Sequence, residues 1–519
     1  MKYPLLFISL LAIGFASCSK EDTAPETEKP EEEFFVNEDA ATFAEIGSID
    51  IGETGAAEIS AFDAQTKRLF VVNNDEKNGA VNRIDVLDFS DPKNMKLIHS
   101  ISMQPYGGAV NSVAVFDGKL AAAIESTDKQ ANGKVAVFKT SDYAEIKSVT
   151  VGALPDMITF SPDGKFILTA NEGEPNAAYT NDPEGSISII TVDNNYAVTT
   201  VNFSAFASKQ AELVAKGFRV FGPSNSFVKD IEPEYITVSE DSKTAWVTLQ
   251  ENNGIAKINL TTKTITDIFP LGFKDYTADG NEINVTDKDG GSTVLAKWNV
   301  KGVYMPDAIA LVESNGTPYL FTANEGDARE YTAFVEGERI GKLTLDPAAF
   351  PNAADLQKEA QLGRLNVTKT LGDANGDGKY EALYSFGARS FSVWNGNTGA
   401  QVFDSKNELD VKSIAANVYD DGRSDDKSVE PEGITVGKVG NKKVAFVGME
   451  RADAVAVYDV TDPSKPSFLQ LFKCGDAPEG VLFIPAKNSP TKKSLLVVSS
   501  ENDGVVKVYT PIQFNNPQP

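Results

Sequence analysis

The chain has 519 residues, and its 40 Gly, 25 Pro and 41% hydrophobic residues are typical of a globular protein rich in strands and turns. Its formal net charge of −26 argues against nucleic acid as a partner, because phosphate binding requires clustered Lys and Arg. A single histidine excludes zinc sites that use several histidines and disfavours Ser-His-Asp catalysis.

The N-terminus has the features of a bacterial lipoprotein signal. A positively charged start precedes an apolar run, residues 5–15, that is too short to span a membrane in the mature protein. The string Phe15-Ala16-Ser17-Cys18 resembles a lipobox, although Phe15 replaces the usual Leu. We therefore predict a signal peptide over residues 1–17 and lipidation of Cys18, with a plain secretory signal as the alternative. The protein would then be secreted and lipid-anchored at the bacterial outer membrane or cell surface.

Three regions follow the signal peptide. Residues 18–40 are rich in Glu, Asp, Thr and Pro and predict a disordered acidic tether. Residues 41–513 carry repeated strand patterns and predict a single β-propeller domain, and residues 514–519 are a tail. If Cys18 carries lipid, Cys474 has no partner within the chain, so no intrachain disulfide is expected.

One unit recurs seven times along the domain. It begins with an acidic or polar residue at the start of a strand, often directly after Pro, at positions 58, 111, 156, 234, 307, 432 and 479. A second strand follows, and it often ends in a polar and acidic string such as Asn171-Glu172-Gly173. The third strand alternates apolar and polar residues, which is typical of a half-buried strand. Three long spacings predict insertions near 203–230, 272–303 and 326–380, with helical segments over 205–216 and 353–362.

These units predict an all-β fold, a seven-bladed β-propeller with helical and loop insertions. The seventh unit supplies only three strands. Residues 43–49 have a strand pattern and are expected to pair as the outer strand of that last blade, which would close the ring and remove an exposed edge. An eight-bladed ring is the alternative, if residues 380–404 form a blade of their own.

Acids recur at both ends of the predicted inner hairpins. In a propeller, the start of the first strand and the end of the second lie at the same end of the blade, so these acids should meet around one mouth of the central channel. The expected pairs are Asp156 with Glu172, Glu234 with Glu251, Asp307 with Glu325, Glu432 with Glu450, and Glu479 with Glu501. Glu58 and Glu125 would add to the same rim. The second unit departs from the pattern, because Asn111 replaces the Pro-acid pair.

Converging carboxylates need compensation, since two like charges about 4 Å apart repel by roughly 4 kcal/mol at an effective dielectric constant of about 20. Arg389, Arg451 and Arg329 lie in or beside the repeated motifs and are candidate partners. Oxygen ligands with few His or Cys indicate Ca²⁺, with Mg²⁺ as the other candidate. The alternative is that Asn, Asp, Glu and Gly at strand ends serve only as turn formers.

A second candidate metal site lies in the string Asp373-Ala374-Asn375-Gly376-Asp377-Gly378-Lys379-Tyr380-Glu381. Asp373, Asn375 and Asp377 alternate as in the first half of an EF-hand loop, and Gly follows at the position of the sharp turn. Tyr384 stands where the bidentate Glu of an EF-hand would be, so Glu381 is the substitute that we propose. The alternative is a turn rich in Asp and Gly.

Several motifs resemble those of a known family. Residues 154–175, Asp230-Ile231-Glu232-Pro233-Glu234-Tyr235-Ile236, residues 384–392 and Val429-Glu430-Pro431-Glu432-Gly433-Ile434 resemble the choice-of-anchor I domain family. That family also resembles a mesenchyme-specific cell-surface glycoprotein, and residues 160–171 are similar to YVTN-type propeller repeats. The resemblance covers nearly the whole chain from residue 43. It implies a propeller and a surface location reached through one of several anchors.

Two functions remain open. The first is binding by a monomer that contacts the membrane only through its lipid anchor, with a small ligand, a surface protein or a glycan held at an acidic, cation-organised mouth. The alternative is a calcium-dependent phosphoesterase, by analogy with β-propeller phytases, in which cations polarise a phosphate and Arg389 or Arg451 hold its oxygens. No nucleophile–base pair, GxSxG elbow, P-loop or GxGxxG motif in a strand–helix context is evident, so no catalytic residue is assigned.

Overall fold

In a computed structural model, residues 1, 34–75, 82–291 and 293–514 are described. The described strands all belong to one compact unit, Val36–Pro519. Strands dominate this unit, which confirms the predicted all-β class. Cys18 and most of the predicted signal peptide and tether lie outside the described residues, so lipidation stays a prediction.

The described chain contains seven four-stranded antiparallel sheets. Its first strand, β1 (Glu38–Asp50), belongs to the seventh sheet. The first sheet contains β2 (Ser60–Asp63), β3 (Arg68–Asn73), β4 (Arg83–Asp88) and β5 (Lys96–Ser102). The second contains β6 (Val110–Phe116), β7 (Lys119–Ile124), β8 (Asn132–Lys139) and β9 (Glu145–Ala153). The third contains β10 (Pro155–Phe160), β11 (Phe166–Asn171), β12 (Ser186–Thr191) and β13 (Ala197–Asn202), and the fourth β14 (Pro233–Val238), β15 (Thr244–Leu249), β16 (Gly254–Asn259) and β17 (Thr264–Pro270).

Two insertions interrupt the remaining sheets. The first carries β18 (Phe273–Asp275) and β19 (Lys301–Val303), after which the fifth sheet begins with β20 (Ile309–Ser314) and β21 (Thr317–Asn324). The second carries β22 (Glu330–Tyr331), β23 (Phe334–Val335), β24 (Gly337–Arg339), β25 (Asn366–Thr368) and β26 (Tyr384–Ser385). The fifth sheet ends with β27 (Ser390–Asn395) and β28 (Gln401–Asp404). The sixth contains β29 (Pro431–Val439), β30 (Lys442–Met449), β31 (Ala454–Asp459) and β32 (Ser467–Lys473), and the seventh β33 (Pro478–Ile484), β34 (Leu495–Ser500), β35 (Val505–Gln513) and β1.

The two insertions fold together. Their strands form a five-stranded sheet in the order β18-β19-β26-β25-β24, in which β19 and β26 pair in parallel. Residues 380–404 do not form a sheet of their own, because β27 pairs with β21 and β28 pairs with β27. No spacing or repeat in the sequence predicts the pairing of these two insertions.

The helices are short: α1 (Gln210–Val214), α2 (Ala353–Leu356) and α3 (Glu408–Ala416), with 3₁₀ turns at Val192–Asn194, Ser204–Lys209, Ile340–Lys342, Leu362–Arg364, Asp421–Arg423 and Glu450–Ala452. The segment predicted as helical over 205–216 begins with a 3₁₀ turn, and the one over 353–362 is helical only to Leu356. The sequence reasoning missed α3, since its buried face includes the polar residues Asp410 and Ser413 and lacks apolar periodicity. Within the described ranges, none of the helices is both long and apolar enough to cross a bilayer.

An apolar cluster lies between each sheet and the next. Trp246 of the fourth sheet and Trp394 of the fifth are buried in one such cluster. Another joins Val497 of the seventh sheet to Leu69 of the first. The middle strands of each sheet are covered on both faces by the neighbouring sheets, and their sequences are therefore almost continuously apolar. Each buried Val, Leu, Ile or Phe contributes about 1.5–3 kcal/mol to stability.

The first strands of the seven sheets contact one another in sequence. β2, β6, β10, β14, β20, β29 and β33 touch in this order, and β33 also touches β2. Residues near the starts of these strands are therefore brought together, although they are far apart in sequence.

The N-terminal strand lies at the outer edge of the seventh sheet. β1 pairs antiparallel with β35, from Glu38 opposite Gln513 to Asp50 opposite Val505. It begins at Glu38, so the last residues of the predicted tether are part of the sheet. The reason is that buried Glu38 accepts hydrogen bonds from the backbone N–H and hydroxyl of Ser494, at 2.8 and 2.6 Å.

Candidate functional site

Backbone turns before the first strands position the repeated acids. In four of the units with a Pro-acid pair, the residue before Pro has a left-handed backbone, with φ of 48° at Leu154, 45° at Met305, 48° at Glu430 and 55° at Ala477. This conformation is uncommon for such residues, above all before Pro. A register shift follows the Pro in the third, fourth, sixth and seventh sheets. The acids therefore lie in irregular strand starts rather than in the regular ladder.

A cavity of about 300 Å³ lies where the first strands begin. Ten carboxylates line it: Asp156, Glu172, Glu174, Glu234, Glu251, Asp307, Glu325, Asp327, Glu432 and Glu479. Sequence reasoning predicts all of these except Glu174 and Asp327. A signal for both exists, because the strings Asn171-Glu172-Gly173-Glu174 and Asn324-Glu325-Gly326-Asp327 repeat an acid at the fourth position.

Buried asparagines fix the ends of two second strands. Nδ2 of Asn171 donates to the hydroxyls of Ser186 and Ser188, at 3.2 and 3.1 Å. Asn324 makes the equivalent contacts with two serines of the fifth sheet. The Asn of the repeated motif therefore holds the second strand to the third, and the Glu that follows it reaches the cavity.

Asp156, Glu172 and Glu234 form one group, which we name the Asp156 triad. One oxygen of each lies within 4.8 Å of the others. Burial, followed by the charge of Glu174, raises the pKa of Asp156 to about 6. Burial and neighbouring carboxylates also raise the pKa of Glu172 and of Glu234 well above the usual value. Among the described residues, the main neighbouring charges that act on this triad are all negative.

Asp307, Glu325 and Glu432 form a second group, the Glu325 triad, with one oxygen of each within 4.8 Å of the others. Lys427 Nζ lies 2.8 Å from Glu325 Oε1, and Gln250 Nε2 donates to Glu325 Oε2 at 2.8 Å. Burial acts to raise the pKa of Glu325, but Lys427 and these hydrogen bonds hold it below its usual value. This triad therefore has a cationic neighbour that sequence reasoning missed, since Lys427 belongs to no repeated motif.

Further cations lie beside the sixth sheet. Buried Glu430 lies 3.2 Å from Lys427 Nζ and 2.5 Å from Arg423 Nη2. Arg451 lies 2.8 Å from Glu450 Oε1 and 3.5 Å from Glu430 Oε2. Glu450, predicted at the mouth, is not among the residues that line the cavity, and burial followed by neighbouring carboxylates raises its pKa to about 8. The Arg451 guanidinium thus balances the negative charges of Glu450 and Glu430. Its role as an anion ligand stays a prediction.

Glu251 has a buried oxygen without a hydrogen-bond partner. The residue lines the cavity and is 7% exposed, and its Oε2 atom is the unpartnered one. Burial raises the pKa of Glu251 to about 7, although the charge of Arg329 opposes the shift. Arg329 is itself held by Asp230 Oδ1 at 2.6 Å and Glu232 Oε2 at 2.9 Å. Glu432 Oε2 also lacks a partner. Such oxygens favour a proton or a bound cation.

The seventh sheet adds further acids. Burial, followed by the charges of Glu58 and Glu501, raises the pKa of Glu479 well above its usual value. Burial and Glu501 likewise raise the pKa of Glu58 to about 8. Glu58, Glu125 and Glu501 are not among the residues that line the cavity, and Glu125 instead pairs with Lys129 at 3.4 Å. Of the acids predicted for this rim, only Glu479 reaches the cavity from the seventh sheet.

Arg389 is not among the residues that line the cavity, and its anion-binding role stays a prediction. Its side chain is buried, and its guanidinium donates to the carbonyl oxygens of Asn284, Ser424 and Asp426, at 2.6, 2.9 and 2.8 Å. These bonds tie β27 to the first insertion and to the loop that follows α3. The Nε atom of the same guanidinium is buried and has no hydrogen-bond partner among the described residues.

The loop predicted to resemble an EF-hand lies on the surface. Asp373, Asp377 and Glu381 each offer an oxygen within 4.8 Å of the others. Asn375 Nδ2 donates to Glu381 Oε1 at 2.7 Å, and Gly376 donates its N–H to Asp373 at 2.8 Å. All four predicted residues are therefore together, and calcium binding by them stays a prediction.

An aromatic cluster, missed by sequence reasoning, borders the cavity. The Tyr331 hydroxyl donates to Glu174 Oε1 at 2.9 Å, and the Tyr331 ring lies 5.3 Å from that of Tyr179. Phe334 lies 6.0 Å from Tyr179 and 6.2 Å from Phe221. These half-buried rings come from loops and insertions that no periodic pattern marks. They give the acidic cavity a partly apolar border.

The sequence matches one family and two characterised relatives. The model of the choice-of-anchor I domain matches residues 58–463. Gigasin-3a of Magallana gigas is 29% identical over 198 residues, which are 32% of this chain and 69% of that protein. The mesenchyme-specific cell surface glycoprotein of Strongylocentrotus purpuratus is 25% identical over 344 residues, which are 56% of this chain and 44% of that protein. The chain thus spans less than half of the sea-urchin glycoprotein.

Solved structures with a similar arrangement have low sequence identity. Hydrazine synthase of Kuenenia stuttgartiensis aligns with a TM-score of 0.47 at 13% identity, over 90% of this chain and 97% of that chain. The RRP9 WD40 repeats align with a TM-score of 0.47 at 9% identity, over 92% and 100%. The β-propeller domain of Myceliophteria thermophila Cps50 (Swd1) gives a TM-score of 0.44 at 8% identity, over 91% and 100%.

Proposed function

The chain belongs to the choice-of-anchor I domain family, and we propose that it is a cell-surface β-propeller whose acidic cavity binds calcium and, through the cation, an external ligand. The observation that carries this proposal is the cavity itself, in which ten carboxylates converge and Glu251 Oε2 is buried without a partner. Carboxylate oxygens are the ligands that Ca²⁺ prefers, and Mg²⁺ is the alternative cation.

The sheets are proposed to form one closed, seven-bladed ring. Support comes from the contacts of the first strands, which run from β2 through β33 and back to β2. The apolar cluster between the seventh and first sheets supports the same arrangement. Pairing of β1 with β35 would then complete the last blade and cover the edge of β35. An eighth blade is disfavoured because β27 and β28 belong to the fifth sheet.

Attachment to the surface is proposed to occur through lipid on Cys18. The lipobox-like string and the preceding apolar run support this anchor. The name of the sea-urchin relative, a cell surface glycoprotein, agrees with a surface location. In this proposal the protein is a monomer, and the lipid is its only contact with the membrane.

The external ligand is proposed to be a small molecule, a glycan or part of a surface protein. A cation at the cavity would expose free coordination positions to such a ligand. The half-buried rings of Tyr179, Phe221, Tyr331 and Phe334 would contact its less polar parts. The phosphoesterase alternative is not favoured, because Arg389 is buried among carbonyl oxygens.

Calorimetric titration of the full chain with calcium at about pH 8 tests the proposal, and we expect a dissociation constant between about 10⁻⁷ and 10⁻³ M. The triple variant Glu172→Gln/Glu251→Gln/Glu432→Gln should lose this binding, because neutral amides replace three lining carboxylates. A matched control carries the same change at three exposed acids, Glu145, Glu184 and Glu212, and should keep it. Equal calcium binding by the two triple variants would contradict the proposal.

The surface loop makes a separate prediction. If residues 373–381 bind calcium, Asp377→Ala should weaken that binding by about tenfold or more, because one charged ligand is lost. Calorimetry in the background of the triple cavity variant isolates this contribution. Asp142→Ala, which removes another exposed aspartate that accepts a backbone N–H, is the control. Unchanged calcium heats in Asp377→Ala would mean that the loop is only a turn.

A further inference from the structure

The two carboxylate triads of the cavity differ in their charged neighbours. We infer that the Asp156 triad is the calcium site of the cavity, and that the Lys427 ammonium takes the place of a second calcium ion at the Glu325 triad. This inference rests on the proposed function, and it adds which carboxylates hold the cation and why the other triad holds none.

The Glu325 triad is already compensated by Lys427. Its Nζ atom lies 2.8 Å from Glu325 Oε1, 3.2 Å from Glu430 Oε2 and 3.4 Å from Asp327 Oδ1. The side chain of Lys427 is only 10% exposed, so water screens this charge weakly. The second oxygen of Glu325 accepts a hydrogen bond from Gln250. A divalent cation at Glu325 would therefore meet an ammonium group at close range and a ligand with both oxygens engaged.

Within the described part of the chain, no cation compensates the Asp156 triad in this way. The main charges that act on its carboxylates are those of the triad itself and of Glu174, Glu232, Glu251 and Asp307, all of which are acidic. Two buried guanidinium groups act on Glu251 at this side of the cavity, and both are occupied: Arg329 by Asp230 and Glu232, and Arg219 by Glu336. Charge balance on this side therefore requires protons or a cation from solution.

A second observation points to a cation rather than to protons alone. Glu251 is 7% exposed, and its Oε2 atom is buried at the cavity wall without a hydrogen-bond partner. Its charge acts on two members of the Asp156 triad, Glu172 and Glu234, and on one member of the Glu325 triad, Asp307. A bound calcium ion would provide the missing partner, because calcium accepts more ligands than the three carboxylates supply. Glu432 Oε2 is also unpartnered, so the Glu325 triad must be tested in parallel.

Calcium stoichiometry in matched isosteric variants distinguishes the triads. We expect Glu172→Gln to lose about one equivalent of calcium relative to the unaltered full chain, and Glu432→Gln to lose none, by equilibrium dialysis at about pH 8. Lys427→Met should gain about one equivalent, since the Glu325 triad is then free to bind a cation. Lys427→Arg keeps the positive charge and should gain none. Circular dichroism in calcium verifies that each variant is folded, and Lys427→Gln replaces Lys427→Met if the latter is not.

Each outcome has a defined meaning. Loss of calcium in Glu432→Gln equal to that in Glu172→Gln would overturn the assignment to the Asp156 triad but leave calcium binding by the cavity intact. An unchanged stoichiometry in the folded Lys427 variant would overturn the role of the ammonium group. If neither Glu variant changes the stoichiometry and the triple cavity variant also binds normally, the proposed function itself fails.

Discussion

Removal of calcium by a chelator is expected to destabilise the protein most strongly at about pH 8. Without a cation, protons must neutralise part of the negative charge of the cavity. Burial raises the pKa of Glu251 to about 7. Burial, followed by the charge of Glu174, raises the pKa of Asp156 to about 6. Because these folded-state values exceed the unfolded ones, the stabilisation is complete below about pH 4 and is lost as the pH rises through about 6 and about 7. For Glu251, the shift from 4.5 to about 7 corresponds to about 3 kcal/mol.

Calcium should remove most of this loss, since the bound cation replaces the protons. At a free concentration about 100 times the dissociation constant, one calcium ion adds about 2.7 kcal/mol to the free energy of unfolding. Thermal unfolding at about pH 5 and about pH 8, with calcium or with chelator, measures both effects. Glu172→Gln is the control: it should melt above the unaltered protein in chelator at the higher pH and gain less from calcium. A melting temperature independent of calcium at both pH values would contradict this prediction.

Arg329→Met is expected to lower the free energy of unfolding by about 3–5 kcal/mol. Arg329 is bonded to Asp230 Oδ1 at 2.6 Å and to Glu232 Oε2 at 2.9 Å, and all three side chains are less than 5% exposed. The substitution leaves two buried carboxylates without their cation. It also removes the positive charge of Arg329, which holds down the pKa of Glu251. The net charge around the cavity therefore becomes more negative.

Unfolding by urea in saturating calcium measures this change. Lys216→Ala, which breaks an exposed pair with Glu212, should leave the free energy of unfolding almost unchanged. The triple variant Arg329→Met/Asp230→Asn/Glu232→Gln should recover part of the loss, because no uncompensated charge remains. If Arg329→Met were as stable as Lys216→Ala, the buried ion group would not stabilise the fold.

The sequence contains the strand pattern of the fold in a form that can be read directly. In strands such as β12 and β31, apolar residues alternate with polar ones or form a continuous run between turns. The seven copies of one unit predict seven sheets. The pairing of β19 with β26 could not be foreseen, because these short strands lie in insertions without a repeat. The same holds for α3, whose buried face is partly polar.

The candidate site is predictable to the extent that the repeat determines it. Asp156 and Glu172 meet because one opens β10 and the other follows β11 in the same hairpin. Lys427, by contrast, contacts the cavity residue Glu325 from a loop after α3 that has no counterpart in the other units. Arg389 has a motif position beside β27, but its side chain turns to carbonyl oxygens of other loops. Sequence position therefore locates the acids, and only the tertiary structure identifies their counter-charges.

The pairing of β1 with β35 also constrains the order of folding. Glu38 lies opposite Gln513 in this ladder, so the contact joins the two ends of the domain. Loop closure over such a distance costs entropy that no local contact offsets, and proteins dominated by distant contacts fold slowly. During synthesis, β1 must therefore wait for the last strand to emerge. Until then its unpaired backbone is exposed to other chains, which makes the chain vulnerable to aggregation before β1 pairs with β35.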